Sequence, residues 1–485
     1  EADYDGVEIH ACHGYLIGQF VSPAMNKRTD EFGGSFEGRM KFPVEIFRAM
    51  KKYAGDDFPL GFKMSAWEDL AGGVRGGQEA ARIAQRMADE GVCYVHVGTL
   101  NTTIERVSRY PSVPCMYLPR NTLVPLAADI KKVLQTTPII GTGSVILPDE
   151  AEQLIAAGQC DMLALGRTLL ADPHWAVKAQ QGKRIRPCIR CNVCHHQLWL
   201  AEPLICQVNP YLLKEAQEPI QPTSRKKKVM VVGGGPGGIQ AALVASARGH
   251  DVTLFEARPY LGGMLYPGSR PAFKQEVGLL LEYYEGELAD SDVKIKTGVE
   301  VTLETVQQEK PDALIIAVGG RPIMPDIDQP HVVTAVEALR ERSIVKGKQV
   351  VIIGGGDVGC EAACHLAEAG KEVTIIEMLS ELMAEQPINN VKMAMYQLLA
   401  ERGITYFTNS QVTQINEDTV EVRGPQGGRT LPADNVVIAV GLEPNERVRD
   451  TLRLGCAEVH LVGDCVEPGR IRQAVVQGDL VGRLV

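Results

Sequence analysis

The sequence predicts an α/β protein with three successive parts: the C-terminal part of a parallel strand–helix array, a cysteine-rich loop segment, and two Rossmann-like dinucleotide-binding domains. Three observations carry this. Short β-rich runs alternate with amphipathic helical runs from Glu1 to about Pro187. Four cysteines crowd between Cys188 and Cys206. After Arg225 a plan of strand, glycine-rich loop, helix, strand and acid occurs twice. The 485 residues suit about three domains at roughly 150 residues each. A hydrophobic share of 45%, a charged share of 23% and a net charge of −10 are globular values, which exclude a wholly disordered or collagen-like chain. The one basic tract, Arg225-Lys226-Lys227-Lys228, makes nucleic acid a poor partner. No apolar run is long enough to span a membrane. Twelve cysteines in so long a chain are too sparse for a disulfide scaffold, and their clustering points to a metal site in a reducing, cytoplasmic setting.

In the first part the expected strands are Val7–His10, Leu60–Ser65, Tyr94–Gly98, Pro138–Gly141 and Met162–Gly166. The expected helices are Gly38–Tyr53, Gly77–Glu90, Arg120–Leu134, Pro148–Ala157 and Leu169–Gln181. Strand followed by helix, five times, argues a parallel sheet with right-handed crossovers. Its closure is either an open doubly wound sheet or a (β/α)8 TIM barrel, and five units reach a barrel only if three more precede them. The chain opens on Glu1 rather than Met and enters a strand within six residues, with no signal peptide, so a fragment lacking an N-terminal part is expected.

The second part, 188–224, breaks the alternation. Cys188-x2-Cys191-x2-Cys194-x11-Cys206 supplies four soft thiolates, which suit a 4Fe–4S cluster or a structural zinc. Zinc ribbons usually pair two C-x2-C knuckles, so three close cysteines and one distant one favour iron–sulfur. The remaining eight (Cys12, Cys93, Cys115, Cys160, Cys360, Cys364, Cys456 and Cys465) lack ligand spacing, and most of them read as small buried side chains. His195 and His196 read as exposed loop residues, and Leu212 to Ser224, with Pro219 and Pro222, as a linker.

The third part holds the duplication. Strand Lys228–Val232 leads into Gly233-Gly234-Gly235-Pro236-Gly237-Gly238, a helix to about Arg248, and strand Asp251–Phe255 ending at Glu256. Strand Gln349–Ile353 leads into Gly354-Gly355-Gly356-Asp357-Val358-Gly359, a helix to Ala369, and strand Glu372–Ile376 before Glu377. In both, the acid stands 18 residues after the last glycine of G-x-G-x-x-G. The first glycine permits a tight turn, the second lets backbone approach a pyrophosphate, and the third lets helix and strand pack closely. Gly233, Gly235 and Gly238, and again Gly354, Gly356 and Gly359, are therefore the phosphate loops, with Glu256 and Glu377 placed for ribose hydroxyls.

Two such folds in one chain resemble the pyridine-nucleotide disulfide oxidoreductase superfamily, where the first binds FAD and the second NAD(P)H. Leu461-Val462-Gly463-Asp464 looks like that family's second FAD motif, so the resemblance puts Gly463 and Asp464, with Glu256 and Arg258, at the FAD. It also implies an FAD domain of 225–345 plus 430–485, interrupted by an NAD(H) domain of 346–429. Met378 after Glu377 is not a base, and the acid would repel a 2′-phosphate, so NADH is expected over NADPH.

The segment Asp5-Gly6-Val7-Glu8-Ile9-His10-Ala11-Cys12-His13-Gly14-Tyr15-Leu16, with Asn26-Lys27-Arg28-Thr29-Asp30 and Gly33-Gly34-Ser35, looks like the fourth barrel strand and following loop of the old yellow enzyme family. The whole chain resembles its multidomain branch, typified by 2,4-dienoyl-CoA reductase, 2-enoate reductase and trimethylamine dehydrogenase. The resemblance implies that residues 1–187 are strands four to eight of an FMN barrel. It makes His10 and His13 the pair facing a substrate carbonyl oxygen and Tyr15 the proton donor. Gly141-Thr142-Gly143 and Gly166-Arg167 would hold the FMN phosphate, and Cys188, Cys191, Cys194 and Cys206 a 4Fe–4S cluster. Lys63 stands where the family usually has arginine near the flavin pyrimidine; it keeps the charge and loses the bidentate fork. The further histidine of dienoyl-CoA reductases has no match in Thr99–Arg109, which offers Arg106 and Arg109 instead.

Taken singly, His10 reads as well as a core histidine and Tyr15 as a packing residue; together, at a strand's C-terminal end, they read as a site. The expected function is an NADH-dependent ene-reductase, with electrons passing from NADH to FAD, cluster, FMN and an activated C=C bond. The alternatives are an amine dehydrogenase of the trimethylamine dehydrogenase type and a diaphorase-like electron-transfer subunit. The expected partner is a small unsaturated carbonyl or acyl-CoA substrate, with a homo-oligomer left open.

Overall fold

The computed structural model describes residues 4–100, 108–217, 219–325 and 329–485. It divides into two compact units, Glu1–Leu169 and Leu170–Val485.

The first unit is built on five strands: β1 (Val7–Ala11), β2 (Leu60–Glu68), β3 (Tyr94–Leu100), β4 (Ile139–Gly141) and β5 (Met162–Leu163). They lie side by side in chain order, every neighbouring pair parallel. A doubly wound sheet reverses direction at a switch point; this one does not, so the sheet is an arc of a singly wound barrel. Along β1 to β3 the two faces differ in chemistry. Ile9, Ala11, Phe62, Met64, Val95 and Val97 pack against Met40, Val44 and Phe47 of helix Phe36–Ala54 and against Ile83, Ala84 and Met87 of helix Gly77–Asp89. The residues between them on the strands are Glu8, His10, Lys63, Ser65, His96 and Gly98. A parallel sheet covered by apolar matter on both faces would read as a continuous hydrophobic run; this strict alternation leaves one face polar. The register between β2 and β3 slips between Ser65 and Trp67, at the C-terminal edge of that polar face.

Three local expectations change. β5 is two residues long rather than reaching Gly166. The helix expected over Leu169–Gln181 is two helices, Arg167–Ala171 and Trp175–Gln180, because Pro173 lacks the amide proton and biases Asp172 away from helix. A short helix, Leu16–Val21, follows Tyr15 where none is expected from the residues alone.

The second unit carries β6 (Lys228–Val232), β7 (Asp251–Glu256), β8 (Lys294–Thr297), β9 (Ala313–Ile316), β10 (Gly320–Pro322), β11 (Val332–Thr334), β12 (Gln349–Ile353), β13 (Glu372–Ile376), β14 (Thr405–Phe407), β15 (Gln411–Ile415), β16 (Thr419–Gly424), β17 (Gly427–Pro432), β18 (Asn435–Ile438), β19 (Leu442–Pro444) and β20 (Val459–Leu461). Two five-stranded sheets, β20-β9-β6-β7-β8 and β11-β18-β12-β13-β14, share one plan, with a glycine-rich loop after the central strand. The antiparallel pair β10–β19 and the meander β15-β16-β17 complete the unit. Because β11 and β18 belong to the second sheet, the second nucleotide fold reaches beyond the 346–429 expected for it at both ends. The first compact unit likewise ends before residue 187: Ala171 packs with Ile189, Val208 and Val229 in the core of the second.

Helix Ile471–Leu484 lies directly on helix Pro236–Ala247. A methyl group on Gly478 would sit 2.2 Å from the Gly237 carbonyl oxygen, and one on Gly482 would sit 2.8 Å from that of Ala241. No helix among the described residues is long and apolar enough to cross a membrane.

Candidate active site

The polar face of the first sheet gathers most of the expected catalytic set. In register, His10 of β1 stands opposite Lys63 of β2, and Lys63 opposite His96 of β3. β1 then ends in a tight turn with His13 (φ 58°) and Gly14 (φ 79°) in the left-handed region. This turn folds the rings back over the strand end: His10 and His13 are 5.1 Å apart between centroids, and His10 and Tyr15 5.4 Å. The turn is held from below, where the His13 N–H donates to Ser65 Oγ at 3.3 Å. Gly98 keeps the middle of the face open, since a methyl group there would lie 2.7 Å from Cys12 Sγ, 3.5 Å from His13 Nε2 and 3.6 Å from Lys63 Cε.

Electrostatics fix the protonation states. Burial, then the Lys63 charge and the neighbouring His10, lowers the His13 pKa to about 4. Burial and Lys63 lower that of His10 as well. Both rings are therefore neutral at pH 7, each with one N–H to donate and one lone pair to accept. Cys12 is fully buried; burial raises its pKa to about 11, so it stays a thiol, with Ser65 donating to it and its own S–H directed at the Thr99 carbonyl. That matches its reading as a small packing residue.

Reasoning from the sequence missed Glu8 and His96. Glu8 Oε2 lies 2.9 Å from His96 Nδ1, and His96 Nε2 is buried without a partner among the described residues. Burial opposes ionisation of Glu8, but the His96 hydrogen bond and the charges of His96, Lys63 and His10 together leave its pKa lowered. A signal existed: Val7-Glu8-Ile9-His10, Phe62-Lys63-Met64 and Val95-His96-Val97 each set a polar residue inside an apolar strand, at matched levels. Of the two arginines noted in place of a further histidine, Arg106 lies outside the described residues, and Arg109 stacks over Tyr110 and Trp67 at 5.2 and 5.9 Å.

The expected phosphate loops follow β4 and β5. Gly143 has φ 127°, and a methyl group there would meet Leu123 Cβ at 2.9 Å. Gly141 packs on Cys160, and Gly166 is open, with nothing within 4 Å of where a methyl group would stand. Arg167 ties the loops together, donating to the Pro114 carbonyl at 2.7 Å and to Ser144 Oγ at 2.8 Å.

In the second unit the two nucleotide loops repeat one another in detail. Gly233 (φ 113°) and Gly354 (φ 104°) each turn against a facing carbonyl, Ala317 and Ala439, which any side chain would strike. Gly238 and Gly359 each pack 2.0 Å, by the same measure, from the carbonyl of that first glycine. Glu256 accepts from the Gly234 N–H at 2.8 Å and the Arg258 N–H at 2.9 Å. Glu377 accepts from the Gly355 N–H at 2.6 Å and the Leu379 N–H at 2.7 Å. Each acid thus latches its own loop while keeping further lone pairs able to accept from another hydroxyl. Gly356 has open space in front of it, and a methyl group on Gly235 would meet only the Gly263 Cα, at 3.8 Å; Arg258 itself is exposed. Gly463 (φ 75°) turns the chain so that Asp464 lies beside Gly320, where burial raises its pKa and the Gly469 N–H donates to it at 3.1 Å.

Cys188, Cys191, Cys194 and Cys206 are all free and partly buried. Burial, and then the other three sulfurs, holds the Cys191 thiol well above its ordinary pKa; burial, Cys188 and Cys194 raise that of Cys206 to about 11. Arg190 (φ 50°) and Asn192 (φ 60°), both buried, take left-handed backbone between these cysteines, and the Arg190 N–H donates to Cys188 Sγ at 3.4 Å. Backbone turned inward toward sulfur is how iron–sulfur loops are lined, so the donor set fits a cluster. Among the described residues, however, no three ligand-type side chains stand at metal-binding distances, these four included. His195 and His196 lie on helix Val193–Trp199 and are half-buried rather than exposed; of the eight other cysteines six are buried, Cys456 is half-buried and Cys93 is exposed.

Comparison with known proteins agrees with this architecture. Residues 1–185 match the NADH:flavin oxidoreductase / NADH oxidase family, and residues 227–478 match the pyridine nucleotide-disulphide oxidoreductase family. The chain is 39% identical to an NADH oxidase of Thermoanaerobacter brockii, over 98% of this chain and 74% of the relative. It is 34% identical to a cinnamate reductase of Clostridium sporogenes, over 98% and 74%. A solved 2-naphthoyl-CoA reductase in complex with 2-naphthoyl-CoA superposes with a TM-score of 0.93 at 30% identity, over 99% of this chain and 74% of that one. With both modules matched in order and relatives aligned along nearly its whole length, the chain belongs to the multidomain, 2-enoate-reductase-like branch of the old yellow enzyme family of flavin oxidoreductases.

Proposed function

We propose that this oxidoreductase is an NADH-dependent ene-reductase acting on a C=C bond conjugated to a carbonyl, as an enoate, enone or enoyl-CoA. The observation that carries the reading is the packed trio His10, His13 and Tyr15 at the mouth of a polar barrel face. When bound, FAD and FMN supply hydride transfer and a 4Fe–4S cluster supplies single-electron transfer between them. The residues of the chain do the rest. Gly143, Gly166 and Arg167 would hold the FMN phosphate and Lys63 the pyrimidine side. Gly233, Gly235, Gly238, Glu256, Arg258, Gly463 and Asp464 would hold FAD, and Gly354, Gly356, Gly359 and Glu377 NADH. Cys188, Cys191, Cys194 and Cys206 would ligate the cluster.

His10 and His13, neutral, donate N–H bonds to the substrate carbonyl oxygen. Those bonds strengthen as charge gathers on that oxygen, which is the oxyanion-type contribution. Neutral donors avoid adding a second positive charge next to Lys63, and they resist giving up their protons to an enolate. Tyr15, reaching from the first residue beyond the turn, donates the proton to the α-carbon. An electron carrier with no substrate of its own would need none of the three.

The test is anaerobic stopped-flow of the holoenzyme, reduced with NADH and then mixed with cinnamate-like enoates, enones or enoyl-CoAs. Rapid reoxidation by at least one class is expected. Reoxidation by artificial dyes alone would make the protein a diaphorase, and reduction of the resting enzyme by secondary or tertiary amines would make it an amine dehydrogenase.

A further inference from the structure

A cavity of about 340 Å³ lies away from the barrel face. It lies within the second unit, lined by Arg270, Arg340, Glu341, Arg342, His365 and Glu368, with Ala272 and Leu339. These residues come from three separate places in the sequence: the loop after helix Leu265–Gly268, the end of helix Ala335–Arg340 with the turn beyond it, and the last turn of helix Asp357–Ala367. We propose that this cleft is a binding site for a phosphate group, taken by the converging guanidiniums of Arg270, Arg340 and Arg342 over the buried ring of His365.

Two independent observations support a ligand. Among the described residues, none of the three guanidiniums is ion-paired with a carboxylate, in a chain where acids outnumber bases 60 to 50. Of the two acids lining the cleft, Glu341 accepts from the Ser343 N–H at 3.2 Å and hydroxyl at 2.5 Å and also feels the Arg270 charge without pairing with it, and Glu368 pairs with Arg402. Second, two lining residues carry polar atoms without a partner among the described residues: His365, 7% exposed, has a buried Nδ1 with no hydrogen bond, and Arg340 has a buried Nε with none. Arg270 is further ordered by stacking over Tyr266 at 5.5 Å.

The bland account is that Arg340 and His365 merely cap two helix C-termini. Each such terminus offers only about half a negative charge. Two of them and Glu341 together bring about two negative charges against three guanidiniums, which leaves the cleft net positive. An anion able to accept forked N–H pairs, as a phosphate does, completes that balance. The site is distinct from the nucleotide loop. The phosphate end of that loop stands at the first residue of helix Asp357–Ala367, while His365 lies in its last turn, eight residues along and about 12 Å away at 1.5 Å per residue.

The test is titration calorimetry of the flavin-replete holoenzyme in low-salt buffer with saturating NAD⁺, so that the nucleotide loops are filled. Inorganic phosphate, pyrophosphate and glycerol 2-phosphate are the probes. One site is expected, weakened about tenfold by Arg340→Gln with Arg342→Gln, through loss of charge-assisted bonds, and unchanged by Arg453→Gln on the outer surface. Arg342 is exposed, so Arg342→Gln alone cannot unfold the protein and should still weaken binding severalfold. Tighter binding of the ester than of inorganic phosphate assigns the site to a phosphorylated metabolite; equal affinity assigns it to free phosphate. No binding of any probe, or equal binding by wild type and both arginine variants, overturns the proposal.

Discussion

Replacing Tyr15 by phenylalanine separates chemistry from structure unusually cleanly. Tyr15 is 64% exposed, and its hydroxyl has no protein partner among the described residues. It stands at the N-cap of helix Leu16–Val21 but caps nothing with its side chain. Removing one exposed oxygen should therefore change stability by no more than about 0.5 kcal/mol. The ring, 5.4 Å from that of His10, keeps its packing. If the hydroxyl delivers the proton, loss of general-acid help slows that step by about 10²–10⁴-fold, or about 2.7–5.4 kcal/mol of barrier at 1.36 kcal/mol per decade. The assay is a double-mixing stopped-flow run: reduction by NADH, which does not use the Tyr15 proton, and then reoxidation by an alkene. Reduction rate, flavin content and melting temperature should match wild type, with reoxidation alone slowed. Equal reoxidation rates would refute the reasoning, because water or another group would then be the donor.

Four further outcomes follow from the same geometry. Met378 is 69% exposed directly after Glu377, so Glu377→Ala with Met378→Arg should raise the NADPH-to-NADH ratio of kcat/KM at least tenfold; a wild type that already prefers NADPH would remove Glu377 from the ribose. His13, with a pKa lowered to about 4, stays neutral in the fold while the unfolded chain takes up a proton near pH 6.5. Its contribution therefore destabilises the fold only as pH falls from about 6.5 toward 4, and the alkene half-reaction should show no His13 inflection between pH 5.5 and 8; one near 6.5 would contradict the burial argument. Gly98→Ala puts a methyl group 2.7 Å from the buried Cys12 sulfur, so it should cost about 1–3 kcal/mol in denaturant melts and weaken flavin retention; an unchanged midpoint would mean that the face is looser than its contacts imply. Cys206→Ala should abolish bound iron and acid-labile sulfide while Cys93→Ala keeps both; zinc in place of iron would displace the cluster assignment.

Much of this was legible in the residues because the signals were local. G-x-G-x-x-G between a strand and a helix specifies its own backbone, so both nucleotide loops and their latching acids stand where spacing placed them. What was not legible depended on neighbours distant in sequence. Doubly wound sheet and barrel arc share the same strand–helix rhythm, and only the pairing of β1 through β5 in chain order separates them. Glu8 and His96 are 88 residues apart, and each alone reads as one polar residue in an apolar strand; their partnership appears only when β2 aligns β1 with β3. The limits of the second nucleotide fold were missed for the same reason, since β11 and β18 contribute to its sheet from outside the continuous motif. The short helix after Tyr15 is a different case: six residues carry too little periodicity to register.

The way the two nucleotide folds are nested has a consequence for how the protein comes into being. β20 pairs with β9, and helix Ile471–Leu484 packs glycine to backbone on helix Pro236–Ala247. On the ribosome, the earlier of the two folds is therefore left open until more than a hundred further residues have been made, while the later one, whose sheet ends with β18, already has every strand it needs. The order of maturation thus inverts the order of synthesis, with the inserted fold becoming compact first and the fold that hosts it closing last. The apolar interior awaiting that closure, Val231, Ile239, Leu254 and Ile315 among it, stays exposed to chaperones and to off-pathway association for that interval, and helix Ile471–Leu484 acts as the latch that ends the vulnerable period.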